Sequence, residues 1–231
     1  MRAPLSVIIP TLDSAASLGP TLASVFEAVE DGLLGELIIA DGGSSDAIAE
    51  LADEVGAQLV VSPKGRGGQM AAGAVAAQGD WLLFLHSDTV LSNGWPAAVR
   101  AHMARGRQAG YFQLRFDAEG FAPRFVAGWA NLRASLFGLP YGDQGLLISS
   151  LTYGQTGGFQ DIPLMEDVAL ARALRGNLRP LQATATTSAT RYQQEGWFWR
   201  GARNLALLAQ YFLGRSPEKL AMRYQNRHQN Q

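Results

Sequence analysis

An aspartate stands directly after the most apolar short segment of the chain. Trp81 to Leu85 is an unbroken run of bulky hydrophobic residues, followed by His86, Ser87 and Asp88. Such a run without alternation is typical of a strand buried on both faces, as in a parallel sheet. A carboxylate at the end of that strand can ligate a divalent cation, and a divalent cation can bind a diphosphate. The alternative is that Asp88 only caps the next turn.

A second carboxylate follows the predicted strand Leu37 to Ala40, in the segment Asp41-Gly42-Gly43-Ser44-Ser45-Asp46. An aspartate at a strand end can accept hydrogen bonds from a nucleobase or a ribose, and the glycines let the backbone pass close to a ligand. The alternative is a plain turn in which Asp46 or Ser45 caps the following helix.

Two cations and three glycines open the third predicted helix, in Lys64-Gly65-Arg66-Gly67-Gly68-Gln69. Helix N-termini favour anions, and a guanidinium adds bidentate phosphate recognition. The segment is therefore either a phosphate site or a solvent-exposed loop. The Gly-Lys-Ser/Thr ending of a P-loop is absent, and the first strand is followed by Pro10-Thr11-Leu12-Asp13-Ser14 without the glycines of a dinucleotide site, which argues against a dehydrogenase.

Two adjacent acids, Glu166 and Asp167, begin a predicted helix. They either complement the helix dipole at the surface, or one of them is a general base that takes a proton from a hydroxyl. Because consecutive helical residues point in different directions, only one of the two can be that base. Arg191 and Tyr192 end a predicted extended segment, Leu181 to Tyr192, and offer a further phosphate contact.

The composition is that of a globular protein. The 231 residues are 47% hydrophobic and 17% charged, with a formal net charge of −1, so nucleic acid is not a favoured partner. The absence of cysteine excludes disulfides and a cysteine nucleophile. The apolar run near the N-terminus is too short for a signal peptide, and no stretch reaches the ~20 residues of a membrane span. These features predict a cytoplasmic protein.

Four predicted strands alternate with three helices in the first 90 residues. This βαβ periodicity implies a Rossmann-like α/β fold, with a mainly parallel sheet flanked by helices. The second half is less regular: helices are expected near 121–137, 165–174, 204–213 and 217–224, and His102 is expected on a helix surface. The organisation predicted is one domain, 1–195, with a helical C-terminal extension, 196–231, packed on it.

The predicted C-terminal helices, from Trp197 to Tyr224, mix aromatic residues and leucines with several arginines. Such a segment can rest on the inner membrane surface as a peripheral contact and reach a lipid-linked acceptor. The alternatives are that it covers an edge of the sheet or forms a homodimer contact.

Taken in order, these motifs resemble those of the family 2 glycosyltransferases, and the resemblance extends from about Leu5 to Tyr192. It is carried by Val7-Ile8-Ile9-Pro10-Thr11, Asp41-Gly42-Gly43-Ser44-Ser45-Asp46, Gly65-Arg66-Gly67-Gly68-Gln69-Met70, Phe84-Leu85-His86-Ser87-Asp88-Thr89, Gly157-Gly158-Phe159 and Glu166-Asp167. The chain looks closest to a small bacterial subgroup with a Leu-His-Ala-Asp-Thr type motif. The resemblance implies a GT-A fold and a metal-dependent, usually inverting transfer of a sugar from a nucleotide-diphosphate donor, typically UDP-linked, to an acceptor hydroxyl.

The resemblance also implies roles for individual residues. Pro10, Thr11 and Asp13 would line the nucleotide pocket, and Asp41 would bind the base. Arg66 would lie near the base or the phosphates. His86, Ser87 and Asp88 stand where the family has its Asp-x-Asp motif, so Asp88 would ligate Mn²⁺ or Mg²⁺. Asp167, beside Glu166, would be the catalytic base, and Arg191-Tyr192 resembles a reduced form of an Arg-Trp element that holds the diphosphate.

The chain departs from the family pattern at three of these positions. His86 replaces the first aspartate of the motif, so the metal would have fewer protein oxygens and more water ligands. His86 could instead contact ribose or phosphate. Asp13 stands where glutamate is more usual, and Tyr192 replaces tryptophan.

Two other functions are compatible with a fold of this kind. A sugar nucleotidyltransferase would have its glycine-rich basic loop after the first strand, whereas here the loop follows the third. A catalytically inactive nucleotide-sugar-binding protein would not need both Asp88 and Asp167. The partners expected are therefore a nucleotide-sugar donor and an acceptor that is a small molecule, a glycan or a lipid-linked group.

Overall fold

The structure, a computed structural model, describes residues 3–174 and 176–225, with the backbone alone for Gln225. The strands are Leu5–Thr11 (β1), Leu34–Asp41 (β2), Gln58–Val61 (β3), Trp81–Phe84 (β4), Thr89–Leu91 (β5), Ala109–Phe116 (β6), Leu146–Ser149 (β7) and Leu178–Thr187 (β8). The helices are Ala15–Glu30 (α1), Ile48–Glu54 (α2), Arg66–Ala76 (α3), Trp95–Met103 (α4), Phe121–Phe137 (α5), Ser150–Gln155 (α6), Glu166–Ala173 (α7), Thr190–Glu195 (α8), Trp197–Phe212 (α9) and Pro217–Gln225 (α10), with a 3₁₀ turn at Gly142–Gln144.

The strands form one mixed sheet in the order β3-β2-β1-β4-β7-β6-β8-β5. Strands β1 to β4 are mutually parallel, as the βαβ periodicity predicts, and β6 pairs parallel with β8. Strand β7 lies antiparallel between β4 and β6, and β5 is antiparallel to β8. The predicted α/β fold, a mainly parallel sheet flanked by helices, is confirmed.

Helices cover both faces of the sheet, and this explains the unbroken apolar run at Trp81. In β4, Trp81 and Leu83 point into a core formed with α1, α2 and α4, whereas Leu82 and Phe84 point into a second core formed with α3, α7 and α9. All four side chains are buried. A strand between two cores needs no polar face, so its sequence does not alternate.

Helix α5 packs on β6 through its small residues. Ala127 and Ala130 contact a third apolar cluster that contains Leu114 and Phe116 of β6. The Asn131 amide forms two hydrogen bonds with the Leu114 backbone, accepting from its N–H at 2.8 Å and donating to its carbonyl at 3.1 Å. The large apolar side chains of this helix therefore lie on the opposite face, which is exposed.

Three local predictions were wrong. The extended segment ends at Thr187, because the Ala189 N–H donates to Asp117 Oδ1 at 2.6 Å and turns the chain into α8, which carries Arg191. His102 is buried rather than on the surface, and its Nε2 bonds to the Gln108 carbonyl at 2.7 Å. Asp46 does not cap α2, which starts after Ala47.

The C-terminal helices contribute to the second core. Leu207 and Leu208 of α9 and Leu220 of α10 are buried there. Arg200 of α9 forms an ion pair with Glu195 at the end of α8. Among the described residues, no helix has the length and apolar character required to cross a membrane. A domain boundary near residue 195 stays a prediction.

Candidate functional site

The predicted site residues gather at the edge of the sheet where β1, β2 and β4 end. The starts of α3 and α7 and the 3₁₀ turn approach the same edge. A pocket there is lined by Met70, Phe84, His86, Pro140, Tyr141, Gly142, Gly145, Leu146, Phe159, Asp167 and Ala171. The carboxyl edge of parallel strands is where open α/β sheets bind ligands.

Asp41 holds the turn that follows β2. Its Oδ2 accepts from the N–H groups of Gly43 and Ser44, at 2.9 and 2.8 Å, and its Oδ1 accepts from the hydroxyls of Thr11 and Ser44. Burial raises the pKa of the Asp41 carboxyl, but these hydrogen bonds to its charged form outweigh burial, so the pKa lies below its usual range. Asp41 is therefore an ionised organiser of the turn, and its contact with a base stays a prediction.

The loops after β1 and β2 are joined to each other. Asp13, which has a left-handed backbone (φ 48°), accepts from the Ser45 N–H at 2.8 Å and donates its own N–H to Ser44 Oγ at 2.9 Å. Asp46 accepts from the N–H of Ala15 at 2.7 Å, so it caps α1 instead of α2. The exposed side chain of Asp13 lies at the edge of the site, whereas Pro10 and Thr11 are buried in β1.

Gln69 of α3 joins the ends of both strands. Its Nε2 donates to the carbonyls of Thr11 and Ala40, at 2.6 and 2.9 Å. Gln69 is buried, so these bonds hold the start of α3 against β1 and β2. The glycine-rich segment that precedes it is thus held on the sheet.

Arg66 is held in place by Glu166. Its Nε forms a charge-assisted hydrogen bond with Glu166 Oε1, and the side chains of Arg66 and Glu166 are 42% and 2% exposed. A Cβ atom at Gly67 would overlap the Gln160 carbonyl, so glycine permits this close approach of α3 to the segment before α7. Because Glu166 is buried and already paired, it positions Arg66 and is not free to act as a base.

His86 lies against the 3₁₀ turn. A Cβ atom at Gly142 would overlap the imidazole, so only glycine permits this contact. Burial, with the nearby charges of Arg66 and Arg191, lowers the pKa of His86 to about 3. The imidazole is therefore neutral at pH 7. Its Nε2 is buried and has no hydrogen-bond partner within the described part of the chain.

Ser87 and Asp88 form a tight turn after β4. The Thr89 N–H donates to the His86 carbonyl at 3.2 Å, and the Ser87 carbonyl accepts from the Thr21 hydroxyl at 3.0 Å. Across residues 3–174 and 176–225, no three His, Asp or Glu side chains are grouped so that they could hold a metal ion. A metal here would depend on one or two protein oxygens and on the phosphates of its ligand, which is common for Mg²⁺.

Asp143, a half-buried acid in the 3₁₀ turn, was not predicted from the sequence. Its Oδ1 has no hydrogen-bond partner among the described residues. Burial, together with the negative charges of Asp167 and Asp88, raises the pKa of Asp143 to about 6 against the opposing charge of Arg133. The signal in the sequence was weak, because Gly-Asp-Gln-Gly is an ordinary turn composition.

Tyr141 was also missed, and it forms part of the pocket wall. The Arg133 guanidinium of α5 lies 3.5 Å from the centre of its ring. Burial raises the pKa of Tyr141 to about 12, and the nearby acids Asp167 and Asp143 add to the rise, although Arg133 opposes it. The tyrosine is therefore a neutral hydroxyl throughout the physiological range.

Asp167 faces the pocket from the first turn of α7. Its Oδ2 accepts from the Gly142 N–H at 2.9 Å, and its Oδ1 accepts from the Val168 N–H at 2.7 Å. The left-handed Met165 (φ 69°) turns the chain sharply just before the helix. Each carboxylate oxygen keeps a second lone pair that can accept a hydroxyl proton.

Helix α8 separates the roles of Arg191 and Tyr192. The exposed Arg191 lies near enough to His86 for its charge to lower the pKa of the imidazole, and its contact with a phosphate stays a prediction. The Tyr192 ring stacks on Trp197, with centroids 5.0 Å apart, and its hydroxyl accepts from Asn204 at 3.3 Å. Tyr192 is therefore part of the packing between α8 and α9.

Comparison with solved structures shows the same fold. S. aureus TarS (residues 1–349) superposes with a TM-score of 0.62 at 15% identity, over 90% of this chain and 65% of that one. Glucosyl-3-phosphoglycerate synthase from Mycobacterium tuberculosis, in a complex with Mn²⁺ and UDP, gives a TM-score of 0.55 at 22% identity, over 80% of this chain and 70% of that one.

Sequence comparison identifies the family. Glucosyl-3-phosphoglycerate synthase of Mycolicibacterium paratuberculosis is 32% identical over 95 residues, which span 37% of this chain and only 29% of that protein. The sequence profile described as Glycosyl transferase family 2 matches residues 6–146. Because this match covers more than half of the chain, the protein belongs to glycosyl transferase family 2.

Proposed function

We propose that the protein transfers a sugar from a UDP-linked donor to an acceptor hydroxyl, with inversion at the anomeric carbon. The observation that carries this proposal is the position of Asp167, whose carboxylate lines the pocket at the carboxyl edge of the sheet. Arg66 and Asp143 lie close enough to interact with it electrostatically. A TarS structure of the same fold was determined with UDP-GlcNAc, which is consistent with a UDP-sugar donor.

The arginines of the site would bind the diphosphate. Arg66 is held by Glu166 and is still 42% exposed, so its guanidinium can contact a ligand. Arg191 adds a second positive charge near His86. Both offset the negative charge that grows on the leaving diphosphate, which is an electrostatic contribution to catalysis. His86 is neutral and lines the pocket, where its imidazole would contact the ribose or, through water, the phosphates.

Asp88 would hold a divalent cation, with Mn²⁺ or Mg²⁺ as the candidates. Its half-buried carboxylate follows β4 and lies near Asp143, so one or two protein oxygens are available. When bound, the metal would neutralise diphosphate charge as a Lewis acid. Its remaining ligands would be phosphate oxygens and waters.

Asp167 would act as the general base. Hydrogen bonds from the N–H groups of Gly142 and Val168 fix its carboxylate at the pocket wall, and each oxygen keeps a free lone pair. It would take the proton of the acceptor hydroxyl while the oxygen attacks the anomeric carbon from the face opposite UDP. A single displacement of this kind inverts the configuration.

The first test is release of free UDP. The whole protein is incubated with UDP-sugars and Mn²⁺, with water as the acceptor and then with 3-phosphoglycerate, which the name of the mycobacterial relative suggests. UDP release is the expected result. Release of pyrophosphate would indicate nucleotidyl transfer, and donor binding without UDP release would indicate a non-catalytic binding protein.

The second test concerns the metal. Asp88→Ala should weaken UDP binding in the presence of Mn²⁺ by about tenfold or more, because the metal loses a carboxylate ligand. Asp80→Ala removes an exposed acid at the other end of β4 and is the matched control. Titration calorimetry measures both. Equal affinities for the Asp88 variant and the control would exclude this role for Asp88.

A further inference from the structure

Helices α5 and α9 turn large aromatic side chains towards solvent. These side chains form what we call the aromatic face: Phe125, Trp129 and Phe137 on α5, and Phe198, Trp199 and Phe212 on α9. They are 53%, 46%, 67%, 59%, 82% and 48% exposed, in that order. Exposed apolar groups of this size on neighbouring elements mark a surface for a partner or a membrane.

The aromatic face is continuous across the two helices. The rings of Phe125 and Phe198, near the starts of the helices, have centroids 6.1 Å apart. Phe137 and Phe212, near their ends, line the same surface groove. The helices therefore run side by side in the same direction, and the face extends for about 24 Å, the length of 16 helical residues.

The two helices of the aromatic face carry charges of one sign. Residues 121–138 and 197–215 contain five arginines and no acidic residue. The other 14 basic and 20 acidic residues leave the rest of the chain with a formal charge of −6. Arg133 and Arg200 are buried, and Glu195 pairs with Arg200 and Arg203. The exposed arginines of the two segments are therefore Arg124 and Arg215, which lie at the two ends of the face.

We propose that the aromatic face docks the protein on an anionic membrane surface. Tryptophan and phenylalanine insert at the boundary between headgroups and acyl chains, while arginines contact acidic headgroups. A second copy of the chain fits less well, because a two-fold interface would bring the same basic face against itself. An anionic bilayer supplies both the apolar layer and the opposite charge.

Docking would bring the reaction pocket close to the headgroups. Phe137 belongs to the aromatic face, and only three residues later Pro140 lines the pocket. Three residues span at most about 10 Å. The α5 guanidinium of Arg133 also contacts Tyr141 in the pocket wall, which couples this helix to the pocket.

Vesicle sedimentation of the whole protein tests this inference without any measurement of sugar transfer. Vesicles of phosphatidylcholine alone are compared with vesicles that also contain phosphatidylglycerol. We expect binding at least about tenfold stronger to the anionic vesicles, weakened by high salt, since lipid charge attracts the arginines. Fluorescence from Trp129 and Trp199 should shift to shorter wavelength as their indoles leave water.

Matched variants distinguish vesicle binding through the aromatic face from non-specific adsorption of the protein. Trp199→Glu is combined with Leu213→Glu, at the residue that follows Phe212 and ends α9. The two positions are 82% and 84% exposed, so the fold does not depend on their side chains. This double variant should lose vesicle binding by about tenfold. Val75→Glu, at an 88% exposed position on α3, should bind like the unmodified protein.

Three outcomes would overturn the inference. The first is equal or absent sedimentation with the two vesicle types. The second is a double variant that binds anionic vesicles as well as the unmodified protein does. The third is a dimer in light scattering that the double variant converts to a monomer, with no vesicle binding by either protein, which would assign the face to a second copy.

Discussion

At the scale of single residues, Asp143, Glu166 and Asp167 carry the same functional group in three different surroundings. Glu166 is paired with Arg66, and Asp167 accepts two backbone N–H bonds. Asp143 is half-buried, and its buried Oδ1 has no hydrogen-bond partner within the described chain. These surroundings differ in their consequences: Glu166 positions an arginine, Asp167 keeps free lone pairs and is the proposed base, and Asp143 is a destabilising group when it is charged.

Asp143 should make the stability of the protein depend on pH. Its pKa is about 6 in the folded state, against 3.8 for an ordinary aspartate. The native state therefore holds this proton more tightly than the unfolded state does. As a result, the contribution of Asp143 to the free energy of unfolding is neutral at about pH 4 and becomes unfavourable as the pH rises through 6. Asp143→Asn removes the penalty, so its stability relative to the unmodified protein should rise by up to about 3 kcal/mol between pH 4 and pH 8.

Urea unfolding at both pH values, with a chelator to exclude divalent cations, measures this difference. The asparagine variant keeps the size and shape of the side chain, so a change that is equal at the two pH values reflects packing alone. A stability difference between variant and protein that does not grow with pH would show that Asp143 is not an acid with a raised pKa.

At the scale of elements, the site depends on contact between the 3₁₀ turn and the end of β4. Gly142 permits this contact because it has no Cβ atom; a Cβ at this position would overlap the imidazole of His86. Gly142→Ala should cost about 1–3 kcal/mol of stability, because either the turn or the imidazole must move. Binding of UDP should weaken as well. The same movement displaces His86 and the Gly142 N–H group, which donates a hydrogen bond to Asp167.

Gly154→Ala is the matched control for this substitution. Gly154 lies in α6, where an added Cβ would meet only open space, and its φ value is not left-handed. Alanine there should leave stability unchanged or raise it by about 0.5–1 kcal/mol, because it restricts the unfolded chain. Thermal unfolding distinguishes the two variants, and equal melting temperatures would show that the close contact at Gly142 is unimportant.

The elements also differ in how far sequence patterns could predict them. Strands β1 to β4 and helices α1 and α3 follow from apolar runs and from spacing that is local in the chain. Helix α8 was missed because Thr-rich sequence favours extended structure, and the turn into it depends on Asp117, which lies 72 residues before Ala189. Such distant hydrogen bonds are invisible to a local pattern.

At the scale of the whole molecule, the sequence pattern predicts Asp88 at an edge of the sheet, because Asp88 follows a buried strand. Arg66 and Asp167 begin helices, and their positions beside Asp88 were expected from the family resemblance. Asp143 was not predictable in this way, since the charges that act on it include those of Arg133 of α5, Asp167 of α7 and Asp88 after β4, which are distant in the chain. A helix was expected near residues 121–137, but the spacing of its apolar residues does not tell whether they face a core or solvent.

Glycosyl transfer with Asp167 as the base is most directly tested by Asp167→Asn. The amide keeps the shape of the side chain but cannot accept a proton in catalysis, so turnover of the active UDP-sugar should fall by about 10²–10⁴-fold. Binding of UDP should stay within about threefold of normal, since the lost interaction acts in the transition state. Asp53→Asn, an exposed change on α2, is the control for charge removal.

The decisive measurement is the rate of UDP release by the Asp167→Asn variant, taken beside its affinity for UDP. We predict near-complete loss of release with affinity retained and with the control variant fully active. Near-normal release by the Asp167 variant would contradict the assignment of the base.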